Sequence, residues 1–294
     1  MTSPELPAPY GGGSPTASSP EAGGSSTPVR PAKIRVHHLQ QAKDEGRRFA
    51  MLTAYDQYAA QIFDDAGIEV LLVGDSAANN VLGHATTLPI TLDEMILFSR
   101  AVSRAASRAL VVADMPFGSY EVSATQAVES AVRLLKEGLV HAVKLEGGAD
   151  YADTVRALVR AGIPVMAHIG FTPQSEHALG GYRVQGRGDA SQRVVDDAVA
   201  LADAGAFCVL MEMVPATTAQ AVDAAVRVPT IGIGAGADTT GQVLVWQDMA
   251  GLRGGRQARF VRQYADLRSV LADAASSYAN DVRSGAFPGP EHTF

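Results

Sequence analysis

A single cysteine, Cys208, excludes an intramolecular disulfide and any metal cluster built from cysteines. It lies inside an apolar run, Cys208-Val209-Leu210-Met211, which reads as a small buried hydrophobe rather than a nucleophile. Long hydrophobic runs are missing as well, and none approaches the ~20 residues of a membrane span. Basic residues are the minority, 24 against 31 acidic for a net charge of −7, and they form no stripe. Nucleic acid and anionic membranes are therefore poor partners. The chain reads as cytoplasmic and reduced.

Residues 1–32 lack nearly everything a core requires. Pro, Gly, Ser and Thr dominate, as in Gly11-Gly12-Gly13-Ser14-Pro15, so too little surface can be buried to offset chain entropy. The segment has neither the apolar core of a secretory signal nor the arginines of a mitochondrial presequence. It reads as a disordered tail, with residues 33–294 as one catalytic domain.

What is present is a 47% hydrophobic composition and a regular alternation of short apolar runs with helical segments. Strands are expected at 49–54, 70–75, 110–114, 142–146, 164–170, 208–213 and 229–234, with a weaker eighth near 243–246. A leading helix at 36–45 would close the bottom. Helices follow at 58–66, 91–107, 123–137, 151–161, 190–204 and 217–225, and a last one at 258–284 would finish the outer ring. Gly67, Gly138, Gly162 and Gly205 are placed to end helices in the left-handed conformation. Near-continuous apolar strands alternating with helices imply a parallel sheet covered on its outer face. An open doubly wound sheet would bring a Gly-x-Gly-x-x-Gly turn after its first strand, and Thr53-Ala54-Tyr55-Asp56 is nothing like one. Polar residues end at least five strands, which suits a single (β/α)8 TIM barrel, where all strand ends meet at one mouth.

Three of those strands end on carboxylates: Asp75, Asp114 and Glu146. Leaving a buried carboxylate unpaired costs several kcal/mol, so three at one end imply a shared partner, most simply a hard divalent cation. Lys144, two residues before Glu146, shares its face. It either neutralises a substrate carboxylate or forms a Schiff base, and the plain alternative is a Lys–Glu pair. His168 is either a hydrogen-bonded core residue or a contact to substrate. Glu212, between Met211 and Met213, should have a raised pKa and serve as a general base, a fourth metal ligand or a salt-bridge partner being the alternatives. Gly232-Ile233-Gly234-Ala235-Gly236 suits phosphate binding or tight rim packing equally well. The loop 180–188, with Arg183 and Arg187, has the length of a lid or binding element.

Several longer motifs make the chain resemble one family. They are Val73-Gly74-Asp75-Ser76, Gly83-His84 with Thr87-Leu88-Pro89-Ile90-Thr91, Lys144-Leu145-Glu146-Gly147-Gly148, and His168-Ile169-Gly170-Phe171-Thr172-Pro173-Gln174-Ser175. Gly181-Tyr182-Arg183-Val184-Gln185-Gly186-Arg187, Gly232–Gly236 and the ending Glu291-His292-Thr293-Phe294 complete the set. From about Lys33 onward, in order, these resemble ketopantoate hydroxymethyltransferase. The resemblance implies a (β/α)8 barrel in a homo-oligomer, a decamer in this family. It implies transfer of a one-carbon unit from 5,10-methylenetetrahydrofolate to 3-methyl-2-oxobutanoate through a Mg²⁺-stabilised enolate, giving 2-dehydropantoate. By the same resemblance Asp75, Asp114 and Glu146 hold Mg²⁺, while Asp75, Ser76, Asp114 and Lys144 contact the keto acid. Glu212 is then the proton acceptor. The chain departs from the family pattern at Ala77-Ala78-Asn79-Asn80, Glu176-His177 and Thr240, none of them a proposed ligand or base. The rival enzyme class, a Mg²⁺-dependent lyase of the isocitrate lyase type, needs a loop cysteine that this chain lacks. A silent barrel scaffold is the non-enzymatic alternative.

Overall fold

The computed structural model describes residues 32–294. The expected tail at 1–32 lies, apart from Ala32, outside the described residues. Eight strands follow in order: β1 (Phe49–Thr53), β2 (Val70–Val73), β3 (Leu110–Asp114), β4 (Ala142–Glu146), β5 (Val165–Gly170), β6 (Cys208–Glu212), β7 (Thr230–Ile233) and β8 (Gly241–Leu244). Each pairs in parallel with the next, and β8 pairs with β1 to close the barrel. Closure excludes the open doubly wound alternative.

Alternation along the strands divides the buried residues into two sets. Leu71, Val73, Val111, Ala113, Val143, Leu145, Val209 and Met211 belong to the larger core between sheet and helices. Met51, Leu72, Val112, Ala142, Met166, Cys208, Leu210 and Ile231 belong to the second core, inside the barrel. Helix α1 (Val36–Asp44) meets this second core with Leu39 and Ala42, joined by Ile34, and so plugs the bottom as expected. Cys208 is fully buried there, and burial pushes its thiol pKa up, which fits the inert reading.

The helices are α2 (Gln57–Asp65), α3 (Ala77–Asn80), α4 (Leu92–Ala105), α5 (Ala124–Glu137), α6 (Ala152–Arg160), α7 (Glu176–Leu179), α8 (Ala190–Asp203), α9 (Ala216–Ala225), α10 (Trp246–Met249) and α11 (Leu267–Ser284). Their starts are written in the sequence. Asp56 accepts from the Tyr58 and Ala59 amides, and Ser123 accepts from Gln126. Thr91 and Glu94 form a reciprocal capping box, and each such cap contributes about 1 kcal/mol.

Four expectations need correction. Gly138 is right-handed, and the left-handed residue is its neighbour Leu139 at φ 62°. A side chain at 138 would lie 2.6 Å from the Leu134 carbonyl oxygen and 2.9 Å from Ser99 Cβ, so this glycine serves the approach of α5 to α4. Strand β8 starts at Gly241, beside the Phe49 ring, and ends before Trp246 turns into α10. The last helix begins only at Leu267, where Asp266 caps it, and none of its residues is buried, so it does not finish the ring over the barrel. Finally, β7 returns to β8 through residues 234–240 without a helix, far shorter than an ordinary parallel crossover. Gly234 at φ 62° and Gly236 at φ 83° make that return, packed against Phe260 and Ala216. The Gly232–Gly236 stretch is therefore rim packing.

Candidate functional site

The inner face of the strands changes character along its length. Below it carries Leu110, Val112, Ala142, Met166, Cys208 and Leu210; above, in the same alternation, come Asp114, Lys144, Glu146, His168 and Glu212. The register places Asp114 beside Lys144, Glu146 beside His168, and Gly170 beside Glu212. Asp75 follows β2 directly, and Ser76 opens α3. One mouth thus gathers all seven residues singled out from the sequence.

Lys144 lies at the centre. Its Nζ is 2.9 Å from Asp114 Oδ1, 3.8 Å from Glu146 Oε1 and 3.1 Å from His168 Nδ1. Burial alone would lower its pKa, but Asp114, Glu146 and Asp75 together hold it above the usual lysine value. Its contacts with Asp114 and Glu146 favour the ammonium over the neutral amine a Schiff base needs. Burial, then Asp114 and Glu146, push the Asp75 carboxyl well above the usual carboxylate range. Glu146 goes the other way: burial opposes its ionisation, but His168, Lys144 and the Gln174 amide hold its pKa down.

His168 is buried, with Nδ1 3.2 Å from Glu146 Oε1 and Nε2 3.5 Å from Glu212 Oε2. Burial and the Lys144 ammonium keep its pKa below the usual histidine value. The imidazole lies between the carboxylate group and Glu212, with its Nε2 lacking a hydrogen-bond partner. Glu212 is pushed up to about 8, first by burial and then by Glu146. The sequence reading had the direction right for a different reason, because Met211 faces the outer core and the raised value comes from the barrel mouth itself. Met213, next in the chain, has φ 48°, and its carbonyl accepts from the Gln185 amide, which ties the 180–188 loop to the base candidate. Tyr182 of that loop packs on the buried Phe171, ring centroids 4.8 Å apart, while Arg183 and Arg187 are exposed.

Charge balance here is uneven. Four carboxyl groups face one ammonium, and no three of the described Asp, Glu, His and Cys side chains converge into a ready-made cation cage. Hard oxygen donors that outnumber the single ammonium suit a divalent ion bound through one or two carboxylates and otherwise by water or substrate, the usual habit of Mg²⁺.

Three further residues complete the site. Tyr55 Oη is 2.8 Å from Ser76 Oγ. Gln174 and Tyr120, both buried, hydrogen-bond to Asp75 and Glu146. Gln174 stood inside a quoted motif without a role, and nothing in the sequence marks Tyr55 or Tyr120.

Against known proteins, residues 33–290 match the family model described as ketopantoate hydroxymethyltransferase. A 3-methyl-2-oxobutanoate hydroxymethyltransferase of Paenarthrobacter aurescens is 72% identical over 290 residues, covering 99% of this chain and 96% of that protein. Proteins of the same description from Nocardioides sp. and Mycobacterium tuberculosis are 64% and 56% identical, covering 99% and 97% of this chain and 98% of each relative. Among solved structures, phosphonopyruvate hydrolase matches with TM-score 0.57 at 14% identity, covering 88% of this chain and 92% of that one. A 2,3-dimethylmalate lyase matches with TM-score 0.55 at 18% identity, covering 88% and 91%. At such identities these two speak to the fold alone.

Proposed function

The chain belongs to the ketopantoate hydroxymethyltransferase family, and from that premise we propose how its barrel mouth performs the family's reaction. The enzyme converts 3-methyl-2-oxobutanoate to ketopantoate for pantothenate biosynthesis, with 5,10-methylenetetrahydrofolate as the one-carbon donor. Membership closes the lyase and scaffold alternatives.

Asp75, Asp114 and Glu146 would hold Mg²⁺, directly or through water. Three buried carboxylates around one ammonium, in a donor set of hard oxygens, support that assignment. When bound, the ion supplies Lewis acidity toward the keto-acid oxygens, worth several kcal/mol as negative charge develops there. The Lys144 ammonium balances the substrate carboxylate, and Asp75, Ser76 and Asp114 line the same pocket. Glu212 removes the C3 proton. Its carboxyl, raised to about 8, has the proton affinity a base needs near neutral pH, a role worth about 10²–10⁴-fold in rate. His168 lies between Glu212 and the cluster, its free Nε2 available to contact substrate. The deprotonated C3 then attacks the folate-borne methylene carbon as one of its C–N bonds opens; water displaces the second nitrogen, supplies the hydroxyl oxygen and releases tetrahydrofolate.

The observation that carries this reading is Glu212, poised to accept a proton, on the same barrel face as the Lys144–carboxylate cluster. It is tested by following ketopantoate formation with EDTA and with Mg²⁺ restored, in the wild type and in Asp114→Asn. Product that vanishes with EDTA, returns with Mg²⁺ and needs more Mg²⁺ in the variant is expected. Turnover indifferent to EDTA contradicts the metal assignment.

The assembly is a homo-oligomer. Helix α11 supports this: Val270, Leu271, Tyr278 and Val282 stand exposed on a helix without one buried residue, apolar surface that a second copy would cover. No described helix is long and apolar enough to cross a membrane.

A further inference from the structure

The carboxylate cluster is held by one amide side chain with no part in the chemistry described above. Gln174 follows β5 within Pro173–Ser175, and 6% of its surface is exposed. Its backbone N–H donates to Glu146 Oε2 at 3.0 Å. Its side-chain Nε2 donates to Asp75 Oδ2 at 2.9 Å and to the Met115 carbonyl, next to Asp114, at 3.0 Å. One residue therefore ties together the ends of β2, β3 and β4, each bearing one candidate ligand.

An amide can turn over and present its oxygen instead, which would face Asp75 with an acceptor. The Met115 carbonyl, which can only accept, opposes this, and Tyr120 adds to it. Its hydroxyl donates to Gln174 Oε1 at 2.6 Å and accepts from the Glu146 amide at 3.3 Å. The phenol is 2% exposed, and its oxygen also lies 3.1 Å from the Glu146 carbonyl oxygen. With Oε1 engaged, both Nε2 hydrogens point at Asp75 and Met115. A neutral amide fixes the Asp75 carboxyl without adding the positive charge of a lysine or arginine.

We infer that Gln174, its amide held by the Met115 carbonyl and Tyr120, is a positioning residue that orients Asp75 and Glu146 toward a divalent cation. This rests on the metal reading above. Groups that orient ligands in this way typically cost about 10–100-fold in metal affinity when removed.

The test uses the full chain stripped by EDTA, with 3-methyl-2-oxobutanoate present and Mn²⁺ as the probe, its free form read by electron paramagnetic resonance. Gln174→Met keeps the length without polar atoms, and Tyr120→Phe keeps the ring while removing the donor to Oε1. Both should raise the Mn²⁺ Kd about 10–100-fold. At saturating Mn²⁺, proton exchange at C3 of the keto acid should return toward the wild-type rate. A purely structural role would lower the metal-free Tm and leave Kd alone. If Gln174→Met does not fold, Tyr120→Phe carries the test. A folded variant with wild-type Kd, alongside an Asp75→Asn control that weakens binding, overturns this inference alone. A wild type that takes up no Mn²⁺, or Asp75→Asn with unchanged affinity, overturns the metal reading and this inference with it.

Discussion

Glu212→Gln separates the electrostatics of the mouth from its catalysis. Glu212 has a folded pKa of about 8 against an ordinary 4.5, because burial and Glu146 both disfavour its charged form. Between those two pH values the folded protein holds a proton that the unfolded chain has released. Stability therefore falls as pH rises through this window, and the full penalty is present above about pH 8. The shift sets a ceiling of about 5 kcal/mol. The side chain is 16% exposed, so solvent screening reduces the expected figure to about 2–4 kcal/mol. Glutamine carries no charge and escapes the penalty. The variant should match the wild type near pH 4 and exceed it by about 2–4 kcal/mol at pH 9. The assay is urea denaturation in EDTA at both pH values and fixed protomer concentration, since an oligomer's stability depends on concentration. A stability difference that does not change between pH 4 and pH 9 would refute the argument that burial raises this carboxyl. With metal bound, the added positive charge should lower the value, placing the pKa of the kcat/KM profile below that of the metal-free stability profile.

Lys144→Met leaves the buried Asp114 and Glu146 without their ammonium; stability at pH 7 should drop by about 3–5 kcal/mol in chemical denaturation, and the loss should shrink on acidification as carboxylates are protonated. Asp64 accepts from the Ser107, Arg108 and Ala109 amides and the Ser107 hydroxyl, and these bonds hold its pKa down although burial opposes this. Asp64→Asn should cost about 2–4 kcal/mol at pH 7 by urea melts. Because the folded pKa is depressed, that contribution is present above the unfolded value and fades as pH falls through the folded one, so the two proteins should converge in acid. Leu271→Glu with Tyr278→Glu puts charge on the exposed face of α11; light scattering after size exclusion should show a smaller assembly, and an unchanged mass would remove α11 from the interface.

Most of this architecture was legible because the barrel repeats one rule. Apolar strand residues ending on Asp114, Glu146 and Glu212 announce a buried face that turns ionic at one end, and alternation alone put Lys144 beneath Glu146. The sequence hid what depends on contacts between elements. Gly138 looks like a helix cap until α4 is seen against it, and Gly232–Gly236 suits an anion loop or rim packing equally until Phe260 and Ala216 are seen around it. Helix α11 has an ordinary helical pattern, but periodicity does not say which surface it meets. Tyr120 and Gln174 lie 54 residues apart and meet only because the loops after β3 and β5 converge over β4. Glutamine and tyrosine in loops carry no distinctive spacing, so the residues that orient the carboxylates were less visible than the carboxylates themselves.

The most direct test of the central claim is deuterium exchange at C3 of 3-methyl-2-oxobutanoate in D₂O, followed by NMR with Mg²⁺ and no folate. Wild type and Glu212→Gln are compared. Mg²⁺-dependent exchange in the wild type that the variant loses is the predicted result. Equal exchange in both proteins would contradict the assignment of Glu212 as the base, and no exchange in the wild type, even with folate added, would contradict proton removal at this mouth.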